Sequence, residues 1–193
     1  MAKWMRYRSG LFRPCLAALA LATVLAGAGF ALRPGNNLHT VVPGAFYRSA
    51  QPSADQIAAY RDELGIRSII NLRGPRKGEA WYDAEVGEAR KLGIAHFDFA
   101  MNARTELDPA EAKALIALMR EAPRPVLIHC KAGSDRTGLA AALYMAAIAG
   151  ADEEKAEDQL SVRFGHLPIP LLGTFAMDAS FEAMESYLGF VGS

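Results

Sequence analysis

Cys130 and Arg136 lie six positions apart in the run His129-Cys130-Lys131-Ala132-Gly133-Ser134-Asp135-Arg136-Thr137-Gly138. A cysteine ionised to its thiolate is a nucleophile, and an arginine guanidinium donates a fork of hydrogen bonds that fits two oxygens of one phosphate group. Lysine lacks that fork. The apolar stretch Val126-Leu127-Ile128 precedes the pair, one glycine stands between its members, and an alanine- and leucine-rich segment follows. Strand, loop and helix in that order let backbone N–H groups ring a small anion at the positive end of a helix dipole. The candidate phosphate-binding residues are therefore Lys131, Ala132, Gly133, Ser134, Asp135, Arg136 and Thr137. The same donors favour a thiolate at Cys130, and the Thr137 hydroxyl is placed to donate to the sulfur. Thiolate, anion cradle and guanidinium together make a site for nucleophilic attack on a phosphoryl group. A buried cysteine and a solvated arginine would share the spacing, but they leave Gly133 and Thr137-Gly138 unexplained.

The elements around this run read as an alternation. Val41 to Tyr47, interrupted by Pro43-Gly44, predicts a hairpin or edge strands. Ser53-Ala54-Asp55-Gln56 has capping-box spacing and opens a helix to about Leu64. Ile66 to Leu72 is an apolar strand, Glu79 to Leu92 a helix, and Ile94 to Ala100 a second strand. Asp108-Pro109-Ala110-Glu111 caps a helix that ends before Pro123. Pro125 to His129 is the strand that delivers Cys130, and Thr137 to Ala149 is the helix behind it. Two further helices are expected over Asp152 to Phe164 and Phe175 to Leu188. The fold class is α/β, with a mostly parallel central sheet flanked by helices.

The N-terminus reads differently. Lys3, Arg6, Arg8 and Arg13 precede an uncharged apolar run from Cys15 to Leu32. That is the pattern of an export signal, and the run also approaches the length of a membrane anchor. Residues 1–33 are thus expected to be a signal peptide or anchor, and 34–193 a catalytic domain outside the cytoplasm, periplasmic or tethered to the inner membrane. Cys15 and Cys130 are the two cysteines, so a cleaved signal leaves Cys130 without a disulfide partner. Formal net charge is zero, which excludes a nucleic-acid footprint carried by overall charge. His39, His96 and His166 show no metal-ligand spacing, and no cofactor is expected.

The run from His129 to Gly138 resembles the signature loop of the protein tyrosine and dual-specificity phosphatase superfamily. Phe46-Tyr47-Arg48-Ser49-Ala50-Gln51-Pro52 and Ile69-Ile70-Asn71-Leu72-Arg73 are similar to segments of its compact bacterial and fungal dual-specificity-like members. The resemblance spans roughly residues 41–165. It implies a phosphocysteine intermediate, no metal, two-step hydrolysis, and a role for His129 in orienting the loop. It also implies a general acid on the loop after the preceding strand. Glu106 lies in that loop and is the first choice, and Asp98 has the family's spacing but falls in the predicted strand. Asp108 reads more simply as a helix cap, and Asp135 matches loops of some phosphoinositide phosphatases. Lys131 is similar to a lysine of lipid phosphatases acting on inositol rings. The expected partner is a phosphorylated protein, with phosphoinositides or inositol phosphates as the alternative and an inactive phosphate-binding module as a rival of another class. Arg73, Arg76 and Lys77 read as a solvated basic loop, Arg48 stays undecided, and Trp81 and Tyr82 read as core or rim.

Overall fold

The computed structural model describes residues 37–190. Five strands form one sheet: β1 (His39–Val42), β2 (Phe46–Ser49), β3 (Ser68–Asn71), β4 (Ala95–Asp98) and β5 (Val126–His129). Their order across the sheet is β1-β2-β5-β3-β4, which puts β5 at the centre. β1 and β2 form the antiparallel hairpin, and the other three pairings are parallel. β2 is therefore an interior strand, and only β1 of that hairpin is an edge.

Seven α-helices complete the described chain: α1 (Ala54–Leu64), α2 (Ala80–Lys91), α3 (Pro109–Glu121), α4 (Asp135–Ala147), α5 (Glu153–Glu157), α6 (Ala176–Glu182) and α7 (Glu185–Leu188). Both expected caps are made. Ser53 and Gln56 exchange reciprocal bonds at the start of α1, and Asp108 accepts from the Ala110 and Glu111 amides ahead of Pro109 in α3. The strands are too short to show a long pattern, yet their period of two sorts the core cleanly. Phe46, Ile70, Val126 and Ile128 face α3 and α4, whereas Tyr47, Ile69 and Leu127 face α1 and its neighbours. Leu139 to Leu143 of α4 are fully buried, so that helix is fixed along its length and its N-terminus cannot drift from the sheet.

Three expectations need correction. α4 starts at Asp135, two residues before Thr137, so Arg136 belongs to the helix and not to the loop. Residues 152–164 are not one helix. α5 ends at Glu157 and a 3-10 turn covers Val162–Phe164, because Gln159 turns both its backbone and side-chain oxygens onto Arg48 and Leu160 enters the core. The segment 175–188 likewise breaks between α6 and α7 at Ala183 and Met184, where Met184 is buried. The apolar run from Cys15 to Leu32, and with it the reading of 1–33 as signal or anchor, lies outside the described residues. Among the described residues no helix is long and apolar enough to cross a membrane.

Candidate active site

Three parallel strands end side by side, with Ser49 of β2 and Asn71 of β3 both in register with His129 of β5. The chain then turns through Cys130 to Ser134 and enters α4. Cys130 is 2% exposed, and the Gly133 amide donates to its sulfur at 3.2 Å. Gly133 has φ of 75°, and a Cβ built there would lie 2.6 Å from the Ala50 nitrogen. The loop rests directly on the end of β2, and only glycine permits both the backbone angle and the approach.

The carbonyls from Lys131 to Ser134 all accept from donors outside the loop, that of Ser134 also from the Gly138 amide of α4 at 2.6 Å. His129 Nδ1 lies 3.4 Å from the Cys130 carbonyl oxygen. The Gln51 amide donates to Lys131 O at 3.3 Å, and Asn37 Nδ2 to Ala132 O at 3.0 Å. Arg48 Nη2 donates to Gly133 O at 3.0 Å and Ser134 O at 3.2 Å. In a trans peptide the carbonyl and the next N–H point in opposite directions. Carbonyls drawn outward therefore turn the following amides inward, which is the arrangement an anion cradle requires.

Arg136, on the first turn of α4, spans the gap between β3 and the loop after β4. Its Nη1 donates to Met101 O at 3.2 Å and Leu72 O at 3.4 Å, while its Nε is buried without a partner. Thr137 Oγ1 is also buried and unpartnered, so the expected hydroxyl bond to the Cys130 sulfur is not made. Lys131 and Ala132 are exposed, and Gly133 and Ser134 are buried. Of the residues expected to bind phosphate, Lys131 to Ser134 form the turn after Cys130, and Asp135, Arg136 and Thr137 open α4.

Behind His129 stands Glu85 of α2, fully buried. Its Oε1 lies 3.1 Å from His129 Nε2 and 2.7 Å from His96 Nε2, and Gln51 Nε2 donates to its other oxygen. Burial pushes the Glu85 carboxyl up, but the His129, His96 and Gln51 bonds outweigh it and bring it from 4.5 to about 2. One buried carboxylate thereby fixes the ring that lies against the Cys130 carbonyl.

The four general-acid candidates separate by their partners. Asp98, at the end of β4, accepts from Asn71 Nδ2 at 2.8 Å and from the Tyr82 hydroxyl at 2.6 Å, a bond that with burial raises Tyr82 to about 12. Asp108 caps α3. Asp135 lies 2.9 Å from His166 Nδ1, and His166 Nε2 lies 2.9 Å from Asp178 of α6. Burial works to raise the Asp135 carboxyl, and the bonds from His166 and Ser134 hold it below its ordinary value. Glu106 is exposed on the loop whose Met101 carbonyl receives Arg136, and it carries none of these bonds.

One sequence reading changes at the rim. Arg73 is not simply solvated: its guanidinium carbon sits 3.5 Å from the Trp81 ring centroid, and Nη1 donates to Gln51 Oε1 at 2.9 Å. Arg76 and Lys77 remain exposed. Glu85, Asn37, Gln159 and the Asp135–His166–Asp178 chain escaped sequence reasoning, because each acts through contacts 11 to 127 residues apart. Arg48 carried a signal, being a cation directly after the apolar Phe46-Tyr47 in the strand that pairs with β5.

A family model described as the tyrosine phosphatase family matches residues 29–163. The dual specificity protein phosphatase TpbA of Pseudomonas aeruginosa is 32% identical over 135 residues, covering 67% of this chain and 56% of that protein. The chain therefore spans little more than half the length of the curated relatives it matches. The crystal structure of P. aeruginosa TpbA superposes with a TM-score of 0.55 at 27% identity, over 80% of this chain and 98% of that one. Two more distant structures show the same fold. PTPMT1 has a TM-score of 0.61 at 13% identity, over 79% of this chain and 96% of its own. The catalytic core of the PP-IP phosphatase Siw14 from S. cerevisiae has 0.58 at 22% identity, over 82% and 96%.

Proposed function

Because the chain belongs to the tyrosine phosphatase family, we propose that it hydrolyses phosphate monoesters through a phosphocysteine on Cys130, with phosphorylated proteins as substrates. The observation that carries this reading is the loop around Cys130, whose carbonyls from 131 to 134 are all held by donors outside it. In the first step the Cys130 thiolate attacks phosphorus, an S–P bond forms, and the ester P–O bond breaks. Arg136 and the loop amides hold the non-bridging oxygens, and Glu106 protonates the departing oxygen. In the second step water attacks phosphorus, gives its proton to Glu106, and releases inorganic phosphate and the thiolate. Glu106 takes the acid role because Asp98, Asp108 and Asp135 are each committed to other partners.

Support for a protein substrate comes from TpbA, itself named a dual specificity protein phosphatase and crystallised with phosphotyrosine. A second reading directs the same chemistry at inositol phosphates or phosphoinositides. Lys131 is exposed on the loop, and Arg73 stands close enough to Arg136 for their charges to act on each other. Export or anchoring through residues 1–33 belongs to this proposal and rests on the sequence alone.

The test is hydrolysis of an aryl phosphate by the full chain with chelator present, beside Cys130→Ser. Activity that survives chelation and disappears in the variant supports the proposal. A folded wild type that binds phosphate and releases none would instead make it a binding module. Phosphotyrosine peptides and inositol phosphates compared side by side then separate the two substrate classes.

A further inference from the structure

Arg48 is 0% exposed in β2, yet among the described residues it forms no ion pair. Its Nη1 donates to Gln159 O at 2.8 Å and Gln159 Oε1 at 3.1 Å, and its Nη2 serves the Gly133 and Ser134 carbonyls. Nε has no partner, and the Phe164 ring covers the guanidinium at 4.1 Å. A buried cation that is not neutralised is costly, and a neutral hydrogen-bonding side chain would serve packing alone. Burial lowers Arg48 to about 10, with Cys130 and Asp158 opposing that shift, so it stays protonated at neutral pH. It lies behind the nucleophile and under the loop, within 3.6 Å of where a Cβ on Gly138 would stand.

We propose that Arg48 is a positioning residue for the bound oxyanion: its Nη2 draws the Gly133 carbonyl onto β2, turning the Ser134 amide inward, and shares the Ser134 carbonyl with the Gly138 amide of α4, while its unneutralised charge adds to the field felt by the anion. Arg136 works from the open side of the site, and Arg48 works from beneath it. Gln159 matters because it is neutral. It satisfies Nη1 without cancelling the charge, which explains why the chain breaks its helix between α5 and the 3-10 turn to present two oxygens there.

For turnover this inference rests on the phosphatase reading, whereas its anion-binding half stands alone. The experiment uses the full chain, tungstate as a non-reacting oxyanion, and an aryl phosphate. Arg48→Lys keeps a charge but cannot hold Gln159 and both loop carbonyls at once; kcat should fall on the order of 100-fold and tungstate affinity by at least about tenfold. Gln159→Glu keeps the acceptor and pairs the cation. Its unfolding midpoint should stay level or rise while tungstate affinity and kcat each fall about tenfold. A role in stability alone predicts the same midpoint, since Arg48 is better paired, but tungstate affinity and kcat left unchanged. Gln159→Glu binding tungstate within twofold of wild type would overturn the charge argument and with it the proposal, even if Arg48→Lys does not fold. Should wild type bind tungstate but hydrolyse nothing, the phosphatase reading fails, and the tungstate affinities alone decide the role of Arg48.

Discussion

Replacing Glu85 by glutamine removes one charge from the buried cluster beneath His129 and changes almost nothing in size. The carboxyl titrates near 2 in the folded protein against 4.5 when free, a difference of some 2.5 pH units. At about 1.4 kcal/mol per unit, ionised Glu85 contributes on the order of 3 kcal/mol to stability. The sign follows from the downward shift: the contribution is fully present above pH 4.5 and is lost as pH falls through about 2. Glutamine also sets an amide donor among His129, His96 and the Gln51 amide, and all three need an acceptor. Urea unfolding followed by circular dichroism at pH 7, 5, 4 and 3 measures the effect. Glu85→Gln should be less stable by about 3 kcal/mol at pH 7, with the gap narrowing to roughly half by pH 3. A gap that stays constant from pH 7 to pH 3 would falsify the electrostatic account and leave only the shape of the amide. Because His129 touches the Cys130 carbonyl, the variant should also lose about tenfold in kcat with little change in KM.

Other perturbations probe the remaining parts. Arg136→Lys keeps the charge but loses the fork whose Nε is buried and unpartnered, so kcat should fall at least about 100-fold; an unchanged rate would remove Arg136 from the phosphate site. Glu106→Gln should slow an alkyl phosphate far more than a nitrophenyl phosphate, whereas Asp98→Asn should lower the unfolding midpoint and spare that ratio, and the reverse pattern would exchange their roles. Burial works to lower His166, but Asp135 and Asp178 outweigh it and raise the ring above its ordinary value. The stabilisation is present below about pH 6.5 and fades as pH rises through the raised value, so His166→Gln should cost more stability at pH 6 than at pH 9.

The signature run was legible because its chemistry is local: Cys130, Gly133 and Arg136 must fall on one turn, and sequence distance sets that. Helix starts were legible where a side chain closes a ring with nearby amides, as at Ser53 and Asp108. The end of α5 was not, because what stops it is Arg48, over 100 residues away. Glu85 reads as one more acid on a helix rich in charge, and only the fold turns it toward two histidines. The general acid was the weakest inference for a related reason. A carboxylate declares its role by what it already holds, and those holds run from β4 to β3 and α2, and from α4 to α6.

The exposed segment between His166 and α6 contains Leu167, Ile169, Leu171 and Leu172, with Leu171 95% exposed. It is the kind of surface stretch a protease enters first. A cut there would divide the chain into two fragments, yet His166 and Asp178 would still face each other across the break. The smaller fragment would carry Asp178, Ser180 and Phe181, and Ser180 also receives the Leu107 amide from the loop bearing Glu106. The two fragments would thus behave as a noncovalent complex, with an active site whose integrity depends on concentration.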